Sequence, residues 1–200
     1  MTCIALAFLI ACSWSVVWSI RVVKPAKDLD EVPFDPPLPN ALRQLAISTD
    51  ENHKVTSLPG LTDASDLNQY AGHILVDEKY NGHFFYWLFE SPTNSASKPL
   101  VIWLNGGPGC SSMDGLFLEI GPFKLSKEGA SITVIPNPHS WHTVSNLLFV
   151  DQPVGTGLSF TGSKEGLAKS DEDVNRHFVT FLEKFFAKYP QYLTKGGGGD

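Results

Sequence analysis

Residues 99–122, PLVIWLNGGPGCSSMDGLFLEIGP, constrain this chain more than any other stretch. They open on an apolar run, residues 100–104, that reads as a strand. The run breaks at Asn105-Gly106-Gly107-Pro108-Gly109 and resumes with apolar residues at helical spacing. Three glycines and a proline within five residues cannot continue a strand, so the backbone must turn sharply here. A turn at the end of a buried strand is where an α/β protein offers backbone amides to a ligand. The rest of the chain must support that loop or complete its chemistry.

The flanking segments supply the support. Residues 70–77 (YAGHILVD) read as a strand, and the Asn81-Gly82 pair that follows favours a hairpin turn. Residues 83–90 (HFFYWLFE) are aromatic, as strands prefer. A short strand is expected over 131–135. Residues 146–150 (NLLFV) suit a strand buried on both faces, ending at a second sharp loop over 151–157. A helix follows. Ser170 and Asp173 form a capping-box pattern, Val174, Phe178, Phe181, Leu182, Phe185 and Phe186 repeat at three- and four-residue steps, and Pro190 closes it. A hairpin followed by strands alternating with helices predicts an α/β mixed sheet with helices on its faces.

The N-terminal segment reads as targeting sequence. Residues 2–20 carry no charge, and a signal peptide over 1–19 is the preferred reading. An uncleaved membrane anchor is the rival, since the stretch nearly spans a bilayer and Arg21, Lys24 and Lys27 lie on its far side. A membrane is expected as a partner only in that case. Residues 20–57 read as a Pro-rich leader, with Pro25, Pro33, Pro36, Pro37 and Pro39 and a short helix over 41–47. The folded domain is expected over 58–194, and the Gly-rich residues 195–200 are anomalous. Cys3 and Cys12 fall in the signal, which leaves Cys110 with a free thiol or a partner elsewhere.

Composition narrows the chemistry. The net charge is −6 and no basic patch is present, so nucleic acid is not an expected partner. No G-x-x-x-x-G-K-[ST] occurs, and neither glycine cluster carries the third glycine of a dinucleotide fingerprint. The six histidines lack metal-ligand spacing. Neither a cofactor nor a metal is expected. Two readings of the loop over 105–109 stay open, a plain tight turn and an oxyanion hole whose glycines let a substrate carbonyl reach a backbone N–H.

The run WLNGGPGCSS over 103–112 resembles the signature of the serine carboxypeptidase family. The blocks LPGL (58–61), YAG (70–72), NPHSW (137–141) and VDQPVGTG (150–157) resemble other family blocks in order. The resemblance implies the N-terminal half of an α/β-hydrolase mixed sheet with flanking helices, incomplete, in an enzyme of the secretory pathway: secreted, vacuolar or lysosomal, or in the Golgi. It implies release of C-terminal residues from peptides, so peptide or protein C-termini are the expected partners.

Carried over by position, Gly107 supplies one oxyanion amide. Asn105 and Glu119 hydrogen-bond the substrate's terminal carboxylate, and Gly106 offers its N–H there. Glu119 falls among Leu116, Phe117, Leu118 and Ile120, an apolar setting expected to keep its carboxyl protonated as a donor. Asp114 would line the pocket for the C-terminal residue, and GCSSMDG looks like the pheromone-processing, basic-residue-trimming branch, so charge pairing with Lys or Arg is expected. The resemblance also implies that Cys110 pairs with a later cysteine.

One departure matters for activity. No G-x-S-x-G occurs in the 200 residues, and Ser111, Ser112 and Ser159 lack its spacing. The nucleophile and its triad partners are therefore expected to be missing, and the chain is expected to be an inactive N-terminal fragment. The alternatives are an acyltransferase or lyase on the same scaffold, and a non-catalytic binder of peptide C-termini.

Overall fold

The computed structural model describes residues 48–49, 52–58, 67–128 and 131–193. In chain order these form β1 (Ser48–Thr49), β2 (Val55–Ser57), β3 (Gln69–Asp77), β4 (Gly82–Phe89), β5 (Leu100–Trp103), a π-helical turn (Gly115–Glu119), β6 (Phe123–Glu128), β7 (Ser131–Pro136), β8 (Asn146–Val150) and α1 (Asp171–Lys188), joined by short 3-10 turns. The signal peptide, the short helix over 41–47 and the Gly-rich residues 195–200 lie outside the described residues. Among those described, no helix is long and apolar enough to cross a membrane.

The centre is a four-stranded mixed sheet in the order β3-β4-β8-β5. β3 and β4 form the expected antiparallel hairpin, turning through Asn81 in the left-handed region at φ 53°. β4 runs antiparallel to β8, and β5 runs parallel to it. Parallel strands need a crossover, and residues 104–145 provide it. Within that crossover β6 and β7 pair as a separate hairpin. The sequence reading found β7 but not β6, because FKLSKE alternates only weakly and follows Gly121-Pro122 directly.

Period-2 alternation sorts the core into two layers. Phe84, Tyr86, Leu88, Leu148 and Val150 face α1, meeting Phe181, Phe185 and Tyr189. Phe85, Trp87, Phe89, Leu147 and Phe149 face the other way, against Leu116, Ile120 and Phe123 from the crossover. β8 is buried at every position, as its unbroken apolar run implies. The helix starts where expected, with the Ser170 hydroxyl accepting Asp173 N–H at 3.2 Å; Asp173 returns a bond to Lys169 N–H rather than to the cap residue.

The packed body reaches further back than residue 58. β1 pairs with β2 inside the stretch read as a leader, and Ala71 N–H donates to His53 O at 2.8 Å. The His53 ring also bonds Tyr86 Oη at 2.8 Å, and Tyr86 meets Tyr189 Oη at 2.8 Å. Proline density in residues 25–39 therefore does not mark the whole of 20–57 as linker.

His177, on the buried face of α1, sets an expected pH response. Its Nδ1 is buried with no hydrogen-bond partner among the described residues, and its Nε2 lies 3.6 Å from Asp77 Oδ2 and 3.4 Å from Arg176 Nη2. Burial first and Arg176 second hold its pKa below the ordinary 6.5, outweighing the pull of Asp77 and Asp173. Below 6.5 the unfolded chain takes up a proton that the folded chain resists, so stability falls as the pH drops through that window. Urea titrations at about pH 7.5 and 5.5 should show a lower midpoint in acid, with a shallower difference in His177→Gln. An unchanged difference in the variant would assign the effect to other groups.

Candidate active site

The loop of residues 105–109 leaves the C-terminal end of β5 beside β8, at the edge of the parallel pair. Residues 106–110 are exposed. Gly107 sits at φ 135°, a region that L side chains avoid, and a Cβ there would press on the N–H groups of Gly109 and Cys110 at 3.1 and 3.2 Å. A Cβ on Gly106 would meet nothing within 4 Å, so internal packing makes no demand for glycine there. Neither Gly106 N–H nor Gly107 N–H has an acceptor among the described residues.

Asn105 is held in one orientation. Its Oδ1 accepts Trp103 Nε1–H at 2.7 Å and Gly115 N–H at 3.3 Å, and its own N–H donates to Ser112 Oγ at 3.1 Å. Two donors on one side-chain atom identify that atom as the oxygen, so the amide nitrogen points the other way. Nδ2 has no acceptor among the described residues. Asn105 and the two free glycine amides thus put three donors on consecutive residues.

Asp151 anchors the loop from beneath. It is fully buried at the end of β8, and its Oδ1 accepts Ser111 Oγ–H at 2.8 Å and Ser112 N–H at 2.7 Å. Oδ2 accepts Leu158 N–H at 2.8 Å. Ser112 Oγ donates to Val150 O at 2.6 Å while accepting Asn105 N–H. One carboxylate therefore joins the loop after β5 to the loop after β8. The sequence reading placed Asp151 too early in the chain for a triad aspartate and gave it no other role; the available signal was an acid directly following a strand with no polar position after Asn146.

The segment that follows is a single π-helical turn, not the longer apolar helix its spacing suggested. Ile120 N–H bonds Gly115 O at 2.9 Å, five residues back, and Gly121-Pro122 ends the turn. A Cβ on Gly115 would strike the Trp103 indole, so glycine lets the turn approach Asn105. Asp114 and Glu119 both end up exposed. On an α-helix, residues five apart point about 140° from each other; i to i+5 winding brings them closer to one side. Leu116 and Ile120 turn into the core, but Leu118 is 64% exposed and Glu119 faces out beside it. The apolar surround expected for Glu119 is not present among the described residues.

The serines are engaged structurally. Ser159 is buried, donates to Asp151 O at 2.6 Å and accepts Phe85 N–H at 2.7 Å. Ser111 and Ser112 hold the loop as described. Cys110 is exposed and has no disulfide partner among the described residues. Among the described residues, no group of three or more His, Cys, Asp or Glu is placed to hold a metal ion.

The serine carboxypeptidase family model matches residues 59–196. The pheromone-processing carboxypeptidase KEX1 of Coccidioides posadasii (strain C735) is 49% identical over 141 residues, covering 70% of this chain and 21% of that protein. Its namesake in Phytophthora infestans (strain T30-4) is 43% identical over 145 residues, covering 72% of this chain and 24% of that protein. Among solved structures, KEX1(delta)p, a prohormone-processing carboxypeptidase from Saccharomyces cerevisiae, aligns with a TM-score of 0.59 at 38% identity over 74% of this chain and 35% of that one. This chain spans under a quarter of the length of these two curated relatives. With the signature loop and mixed sheet in place, the chain belongs to the serine carboxypeptidase family.

Proposed function

We propose that residues 105–119 form the recognition part of a serine carboxypeptidase site, which holds a peptide by its C-terminal carboxylate. One observation carries the reading: Asn105 Oδ1 is pinned by two donors, so Nδ2 is presented next to the unpaired N–H groups of Gly106 and Gly107. Such an array suits an anion. In this reading Asn105, Gly106 and Glu119 take the carboxylate, with Glu119 donating only while protonated. Gly107 N–H stabilises the oxyanion of the scissile carbonyl. The exposed Asp114 carboxylate pairs with a C-terminal Lys or Arg side chain.

Hydrolysis would proceed through an acyl-enzyme on a serine activated by histidine and aspartate. Ser111, Ser112 and Ser159 are committed to structural bonds, and no G-x-S-x-G occurs in these residues. The 200 residues are therefore read as binding without turnover, and the uncharged segment over 2–20 as a route into the secretory pathway.

Calorimetric titration of the full chain with acetyl-Ala-Lys should show binding that its C-terminal amide loses. Asp114→Asn should abolish the preference for acetyl-Ala-Lys over acetyl-Ala-Leu while leaving the acid-over-amide preference intact. Equal binding of acid and amide would overturn the carboxylate reading, and hydrolysis of the peptide would overturn the claim of no turnover.

A further inference from the structure

We infer that residues 137–141 are the positioning element of this recognition site, acting through Asn137 and Ser140. The inference rests on the carboxylate reading above and assigns what sets Glu119 relative to Asn105. A helical turn leaves its last carbonyls without intrahelical partners. Here the three carbonyls that follow Glu119 are taken in succession by one loop. Ile120 O accepts Ser140 Oγ–H at 2.8 Å and Trp141 N–H at 3.0 Å. Gly121 O accepts Asn137 Nδ2–H at 2.8 Å, and Pro122 O accepts Asn137 N–H at 2.7 Å.

Both side chains are buried, Asn137 at 4% and Ser140 at 2% exposure, and each is fixed by a second bond. Asn137 Oδ1 accepts His139 N–H at 3.1 Å, and Ser140 Oγ accepts His142 N–H at 3.2 Å. The same loop reaches the other recognition residue. The Trp141 ring meets Trp103 edge-on with centroids 6.3 Å apart, and Trp103 Nε1–H is one of the two donors that orient Asn105. One loop thus grips the backbone immediately after Glu119 and backs the indole that aims Asn105. Asn137 and Ser140 touch no ligand in this arrangement; they are positioning residues.

A double-mutant cycle on the full chain tests this, with acetyl-Ala-Lys as the probe. Ser140→Ala is the milder variant, because Trp141 N–H still serves Ile120 O. It should weaken binding by about 3–10-fold in the otherwise native chain, and leave affinity unchanged in a Glu119→Ala background. An equal loss in both backgrounds would mean a general structural role and would overturn the inference. If the native chain does not bind the peptide, the carboxylate reading fails, and amide hydrogen exchange then decides the positioning role. Ser140→Ala must speed exchange at Glu119 and Ile120 relative to Leu116; uniform exchange would overturn it.

Discussion

Replacing Asp151 with alanine should lower the unfolding free energy of the chain by about 2–4 kcal/mol, as expected when one buried and one part-buried backbone donor and a hydroxyl lose their acceptor together. Ser112 N–H and Leu158 N–H have no alternative acceptor among the described residues, and Ser111 Oγ–H can turn to water because it is only half-buried. Asp151→Asn is nearly isosteric yet should remain strongly destabilising, since its amide group must face one of the two N–H donors. The expected failure is local first: Ser112 also carries the bond from Asn105 N–H, so the loop over 105–109 loosens with the loss of the carboxylate. Urea unfolding of both variants measures the first claim. A loss below about 1 kcal/mol in Asp151→Ala would show that the two loops are held by other contacts.

Asn105→Asp should abolish binding of a free C-terminal carboxylate, by roughly 100-fold or more, while leaving the fold in place. The retained oxygen still accepts from Trp103 Nε1–H and Gly115 N–H, so the side chain keeps its position. What changes is the outward group, from an N–H donor to a negatively charged oxygen facing another carboxylate. Like charges brought together cost several kcal/mol, beyond the lost donor. The measurement pairs titration with acetyl-Ala-Lys against thermal unfolding of the same sample. Undiminished affinity at native stability would remove Asn105 from the site and with it the main support for the carboxylate reading.

The two positions, one in the loop and one anchoring it from the end of β8, differ in how visible they were beforehand. Asn105, Gly106 and Gly107 stand out in the sequence because glycine and proline interrupt an apolar strand, a local signal. Asp114 and Glu119 were also named, but the apolar surroundings expected for Glu119 are not the ones found. Spacing counted on an α-helix places Glu119 among apolar neighbours, and the π-helical winding between Gly115 and Gly121-Pro122 turns it outward instead. Asp151 is 40 residues from Ser111, and no local pattern marks it as that residue's partner. The same holds for Asn137 and Ser140, whose targets lie 16 and 20 residues upstream.

The fold follows a similar division. Residues 69–89 announce a hairpin through an Asn-Gly turn between alternating strands, and α1 announces itself through its cap and its phenylalanine spacing. Neither pattern says that β8 inserts between β4 and β5, because strand order depends on which faces bury best across the whole sheet. The body also begins earlier than the prolines suggest, since His53 is bonded to Tyr86 and Ala71, both distant in the chain.

By itself the sequence determined the strand, the sharp loop that ends it and the family the chain belongs to, because each is written within a few consecutive positions. Only the tertiary structure decided which way Asn105 points, where Glu119 and Asp114 stand, and that a buried aspartate holds the loop. Those outcomes depend on hydrogen bonds between segments distant in the chain, and such bonds form only where packing brings a buried donor and acceptor together.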